Sequence, residues 1–163
     1  MAVAIVRLLH SVPRSKIQSV LREGLKASSA FDDLGLEMRC GVVYCWWCQE
    51  DDKMWGRNSA YAYLEIAIDS SRCCVAEMDF ASIALMYLQG QGGRSKNAEA
   101  AALLARLYEV TSVPLNEYRE GMFSTPEVLV KGDISPEHIT VVSGAGEKPE
   151  PNPTEQRTCT HLY

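Results

Sequence analysis

Phe123-Ser124-Thr125-Pro126-Glu127-Val128-Leu129-Val130 runs directly into Lys131-Gly132-Asp133-Ile134-Ser135-Pro136-Glu137-His138-Ile139, and the fold turns on how this stretch is read. Glu127 follows a turn-forming proline and opens an apolar, β-branched run, which predicts a buried strand over residues 127–130. Gly132-Asp133 and Ser135-Pro136 are turn signals, and residues 139–142 read as a second strand. A carboxylate at the mouth of a buried strand is either a solvated edge residue, the common case for Glu, or a group held in place for chemistry.

Working outward, residues 3–9 are almost continuously apolar and predict a first strand ending in the polar turn His10-Ser11-Val12-Pro13. Ile17, Val20 and Leu21 then recur at helical spacing, closed by Gly24. Gly41-Val42-Val43-Tyr44-Cys45-Trp46-Trp47 is rich in aromatic and β-branched residues and predicts another strand. Strict alternation along it would send Tyr44 and Trp46 to one face and Trp47 to the other. Residues 61–68 alternate well enough for a strand and residues 73–78 for a shorter one. The Ala, Leu and Met content of residues 80–88 favours helix. Residues 97–110 form the best helical pattern, with Leu103, Leu104 and Leu107 on one face. Residues 115–123 read as helix or loop and carry Arg119, which could pair with Glu127 or simply solvate a helix end. The resulting fold class is α+β, with helices early and late and at least five strands between and after them. One domain is expected over residues 1–142. Residues 143–163, dominated by Gly, Pro, Glu and Thr, are expected to form a flexible tail.

The composition excludes several classes. A chain of 163 residues with 47% hydrophobic and 23% charged residues is ordinary for a globular protein. The net charge of −5 argues against broad attraction to a phosphate backbone, and the basic residues are scattered. No apolar run approaches the roughly 18 residues of a membrane span, and no signal-like segment is visible. The expectation is therefore a cytoplasmic protein with no membrane partner and with its six cysteines reduced.

Motifs for metal and phosphate chemistry are weak. Cys40, Cys45 and Cys48 have a C-x4-C-x2-C spacing that formally matches three iron–sulfur ligands, but Cys45 lies inside an apolar strand, and buried thiols are the expectation. No paired histidines suggest zinc, so no metal is expected. Gln89-Gly90-Gln91-Gly92-Gly93-Arg94-Ser95 fits neither the dinucleotide fingerprint nor the P-loop. A cysteine–histidine nucleophile pair is conceivable, but the spacing selects no particular cysteine.

One constellation remains. A strand ending in His10, a short helix ending in Gly24-Leu25, the aromatic strand Val42-Val43-Tyr44-Cys45-Trp46, and the late Pro126-Glu127-Val128-Leu129-Val130 followed by Ile134-Ser135-Pro136-Glu137-His138-Ile139 together resemble the ADP-ribosyltransferase fold. The likeness spans most of residues 5–142 and is closest to the DarT-like nucleic-acid ADP-ribosyltransferases, with RNA 2′-phosphotransferases more distant. The resemblance implies a split β-sheet core with short flanking helices and a cleft that takes NAD as substrate. His10 and the adjacent backbone near Ser11 would hold the adenosine and ribose side, Tyr44 and Trp46 would wall the nicotinamide pocket, and Glu127 would be the catalytic carboxylate. It also implies an arginine between the first helix and the aromatic strand, where Arg39 stands. Relatives carry His-x-Thr where this chain has His10-Ser11-Val12. The implied activity is mono-ADP-ribosylation of a macromolecule, nucleic acid or protein. The alternative is a catalytically degenerate member of the fold that binds a nucleotide or a protein.

Overall fold

The structure, a computed structural model, describes residues 4–28, 33–46 and 60–144. Seven strands and three α-helices lie among them. Strand β1 (Ile5–Pro13) leads through a single helical turn into α1 (Ile17–Glu23). β2 (Val42–Cys45) and β3 (Tyr61–Asp69) follow. β4 (Cys73–Glu77) passes directly into α2 (Met78–Gln89), and then come α3 (Ala98–Thr111), the short β5 (Val113–Pro114), β6 (Pro126–Lys131) and β7 (Ile139–Gly144).

The strands form two antiparallel sheets, one in the order β1-β3-β7 and the other in the order β2-β6-β4-β5. Among the described residues they are joined by backbone hydrogen bonds at Leu9 and Trp46, which exchange bonds of 2.5 and 2.8 Å and tie the middle of β1 to the residue after β2. The expected strands over residues 127–130 and 139–142 are both present, yet they belong to different sheets. The connection between them carries the chain from one sheet to the other. It is tied down by Asp133, which accepts from Lys26 and from the Ala27 amide at 2.9 Å each, and by Arg72, which donates to the Lys131 and Asp133 carbonyls.

Alternation sorts the side chains into two apolar layers. Leu8, Val12, Leu64, Ile66 and Ile68 of the first sheet meet Val43, Cys45, Val128 and Val130 of the second in the core between the sheets, with Val20 of α1 beside them. The second sheet's other face presents Val42, Ala76 and Leu129 to Ala81 of α2 and Tyr108 of α3. The order is therefore sheet, sheet, helices, with the four-stranded sheet buried on both faces.

Local chemistry explains the boundaries. Gly24 ends α1 at φ 80°, and a Cβ there would lie 2.1 Å from the Ile134 carbonyl oxygen. Only glycine allows Leu25 and Ile134 to pair through two backbone bonds of 2.9 Å immediately afterwards. Asn97 caps α3 by accepting from the Ala100 amide at 3.0 Å.

Three features depart from the sequence reading. β1 continues through His10 and Ser11 to Pro13, because β3 offers partners that far: Leu64 stands opposite His10 and Tyr63 opposite Ser11. The buried stripe of α3 is Ala101, Ala105 and Tyr108, while Leu103 is 62% exposed. Small residues let the helix approach, so the tightly packed face is not its most hydrophobic one. The two longest helices are consecutive and central rather than early and late. No helix among the described residues is long and apolar enough to cross a membrane.

Candidate functional site

Glu127 stands second in β6, opposite Ala76 of β4. The strand period that sends Val128 and Val130 into the core between the sheets sends Glu127 and Leu129 to the helix-covered face. There the carboxylate meets two donors. Arg39 Nη1 donates to Oε1 at 2.9 Å, and the Tyr108 hydroxyl donates to the same oxygen at 2.7 Å. Only 11% of the Arg39 side chain and 7% of the Glu127 side chain are exposed.

Arg39 ends the helical turn Glu37–Arg39 that precedes β2. Its guanidinium lies between two rings, 4.7 Å from the centre of Tyr44 and 5.0 Å from that of Tyr108. The Tyr44 hydroxyl in turn donates to the Arg39 carbonyl at 3.1 Å, so Tyr44 holds Arg39 at both its backbone and its charge. Burying a guanidinium is tolerable only with such partners: a carboxylate for its charge and aromatic faces for its flat surfaces.

Tyr108 is fully buried, and desolvation, reinforced by the neighbouring Glu127 charge, pushes its pKa well above that of an ordinary phenol. Its hydroxyl is accordingly a fixed hydrogen-bond donor. Nothing in the sequence marked Tyr108 as functional. The available signal was helical spacing, since Ala101, Ala105 and Tyr108 form one stripe ending in a phenol that needs a buried acceptor.

A second buried carboxylate supports the site. Glu77 accepts from the Ser124 amide at 2.6 Å, the Thr125 amide at 2.9 Å and, at the start of α2, the Asp79 amide at 3.4 Å. It therefore fixes the residues that enter β6 just before Glu127. Arg119, for which pairing with Glu127 was one of two alternatives, donates to the Asn116 and Tyr118 carbonyls of its own loop.

His10 enters a different layer. It shares its face of β1 with Leu8 and Val12, toward the core between the sheets, and its Nδ1 bonds the Tyr44 carbonyl oxygen at 2.7 Å. That acceptor selects the neutral tautomer with the proton on Nδ1. Burial holds the His10 pKa below the ordinary value, against the opposing effect of the bond to Tyr44. The ring stacks on Trp46 with centroids 6.4 Å apart and planes 24° from parallel. Ser11, one residue on, has its side chain on the opposite face of β1. The geometry thus gathers Arg39, Tyr44, Tyr108 and Glu127 into one cluster and His10 with Trp46 into another. Tyr44 joins them, through its ring to Arg39 and through its carbonyl to His10.

A groove of about 810 Å³ opens on the helix-covered side of the second sheet. Val42 and Leu129, on the same face as Tyr44 and Glu127, form part of its floor, and Glu37, Arg72, Glu109 and Lys131 give it charged walls. Cys40, Cys73 and Cys74 also line it, whereas Glu127, Arg39, Tyr108, His10, Ser11, Tyr44 and Trp46 do not. Burial pushes the Cys73 thiol up to about 11 and the Cys45 thiol higher still. Both are poor nucleophiles at neutral pH. Cys48, Trp47 and the segment after Gly144 lie outside the described residues. Among the described residues no group of three or more His, Cys, Asp or Glu side chains is arranged to hold a metal ion. No family model, curated protein or solved structure matches the chain.

Proposed function

We propose that the protein is an NAD-dependent mono-ADP-ribosyltransferase acting on a macromolecular acceptor, nucleic acid or protein, with Glu127 as its catalytic carboxylate. The observation that carries this reading is the buried Arg39–Glu127 pair. The carboxylate to which the resemblance gives the catalytic role meets, at the mouth of its strand, the arginine that stands between the first helix and the aromatic strand. Two antiparallel sheets meeting at the Leu9–Trp46 junction are compatible with the split-sheet architecture proposed here.

In the proposed reaction the bond between C1′ of the ribose and the nicotinamide nitrogen breaks, and its electron pair leaves with neutral nicotinamide. The ribose acquires oxocarbenium character, which a fixed carboxylate stabilises. An acceptor oxygen or nitrogen then bonds C1′ and gives up its proton. NAD would lie along the line where the sheets separate, with nicotinamide toward Tyr44 and Trp46 and the adenosine side toward His10 and the adjacent backbone at Ser11.

A second reading, a nucleotide- or protein-binding module without chemistry, is favoured by the separation of His10 and Glu127 into different layers. Incubation with NAD distinguishes the two. The transferase reading expects nicotinamide release that disappears in Glu127→Gln. Saturable nucleotide binding with no release from the wild-type chain would overturn it in favour of the binding module.

A further inference from the structure

Two donors converge on one oxygen of Glu127. Arg39 Nη1 and the Tyr108 hydroxyl both bond Oε1, while Oε2 accepts from none of the described residues. No fully buried side-chain nitrogen or oxygen among those residues lacks a partner, so Oε2 must reach accessible surface. Part of the 7% of the side chain that is exposed is therefore at Oε2. A carboxylate in a purely structural network would have both oxygens satisfied from within. This one is pinned on one oxygen and open on the other.

We infer that Tyr108 is a positioning residue: with Arg39 it commits Oε1 of Glu127 and leaves Oε2 as the oxygen that faces the ribose of NAD. This rests on the transferase reading above. The division of labour is physical. Arg39 supplies charge, through a guanidinium that carries several donor nitrogens. The phenol on α3 has one donor and one direction, and complete burial fixes both. Its raised pKa keeps it protonated at any working pH, so its one O–H proton is always present to donate to Glu127. Without the hydroxyl, the plane of the carboxylate is free to swing about its last bond, so that neither oxygen is held toward the ribose, and the transition-state geometry is lost while the ground-state contacts of NAD elsewhere are kept.

The test is steady-state nicotinamide release by the full chain carrying Tyr108→Phe, beside wild type. The substitution removes the hydroxyl and leaves the ring under Arg39. The expected result is kcat lowered roughly tenfold or more, as for loss of a hydrogen bond to a charged group, with KM for NAD within about twofold and a thermal midpoint near wild type. An unchanged kcat, or a KM that rises to account for the whole effect, would overturn the inference while leaving the transferase reading in place. No release from wild type would overturn both. If Tyr108→Phe does not fold, 3-fluorotyrosine at position 108 keeps ring and donor but alters the donor's strength. A change in kcat at constant KM then supports the role, and an unchanged kcat removes it.

Discussion

Arg39 and Glu127 form a nearly dry ion pair at 2.9 Å, the guanidinium coming from a turn before β2 and the carboxylate from the second residue of β6. A pair of this kind contributes little net stability over an apolar substitute, but removing one member strands the other. Arg39→Met alone should therefore cost about 3–5 kcal/mol in urea unfolding. Adding Glu127→Gln, which keeps an acceptor for Tyr108, should restore part of that loss. The double variant is expected to be more stable than the sum of the single effects by at least about 1 kcal/mol. Simple additivity would show that the two side chains are not coupled in solution.

His10 makes stability depend on pH. Its pKa is lowered by burial, so the unfolded chain takes up the proton first. Above the unfolded value of about 6.5 neither state is charged and nothing is lost. As pH falls through about 6.5 the unfolded state gains protons that the folded state refuses, and stability declines by up to about 1.4 kcal/mol per pH unit until the folded ring protonates. His10→Asn, which can still offer a donor to the Tyr44 carbonyl, should flatten this decline between about pH 7.5 and pH 5.5. Equal slopes for variant and wild type, from urea melts across that range, would remove His10 as the source.

The elements were legible wherever residue type and period agreed. Alternation in residues 61–68 and the apolar run after Glu127 gave β3 and β6 nearly to their ends, and the Ala-rich pattern with Asn97 gave α3. What sequence could not reveal was partnership. β1 outlasts its apolar run because β3 pairs with it, and α3 buries Ala101, Ala105 and Tyr108 because it packs closely on α2 and sets Tyr108 against the sheet. The site divides in the same way. Glu127 was visible from its place in a strand, whereas Arg39 was only the arginine nearest the place the resemblance implies; their contact depends on the pairing of β2 with β6, and the phenol that completes it on an approach of α3 that no local pattern encodes. Glu77 was hidden for a similar reason, since its partners are backbone amides that could belong to any residues.

The thiols supply a test of the two-layer packing. Cys45 is fully buried between the sheets, and Cys73 is almost so. Burial raises both thiol pKa values, Cys73 to about 11. Cys40 is only partly buried and lines the groove. Brief treatment with iodoacetamide at pH 7.5 should label Cys40 well before Cys73 and leave Cys45 untouched until denaturant is added. Peptide mass spectrometry reads the order. Early labelling of Cys45 would mean that the core between the sheets opens readily, contrary to the packing described.

Glu77 offers the sharpest separation of structural support from chemistry. Its carboxylate accepts from the amides of Ser124 and Thr125 and from the first turn of α2, all while 7% exposed. In Glu77→Gln one oxygen becomes an NH2 group, a donor facing donors, so at least one buried amide loses its partner at a cost of about 1–3 kcal/mol. The loss should be local, because β6 is still paired to both β2 and β4 beyond Pro126. Amide hydrogen exchange should accelerate at Ser124 and Thr125 while the Val128 and Val130 amides keep their protection. If all four amides exchange faster together, Glu77 holds up the sheet as a whole. If none does, the loop entering β6 is fixed by something other than this carboxylate, and the placement of Glu127 does not depend on it.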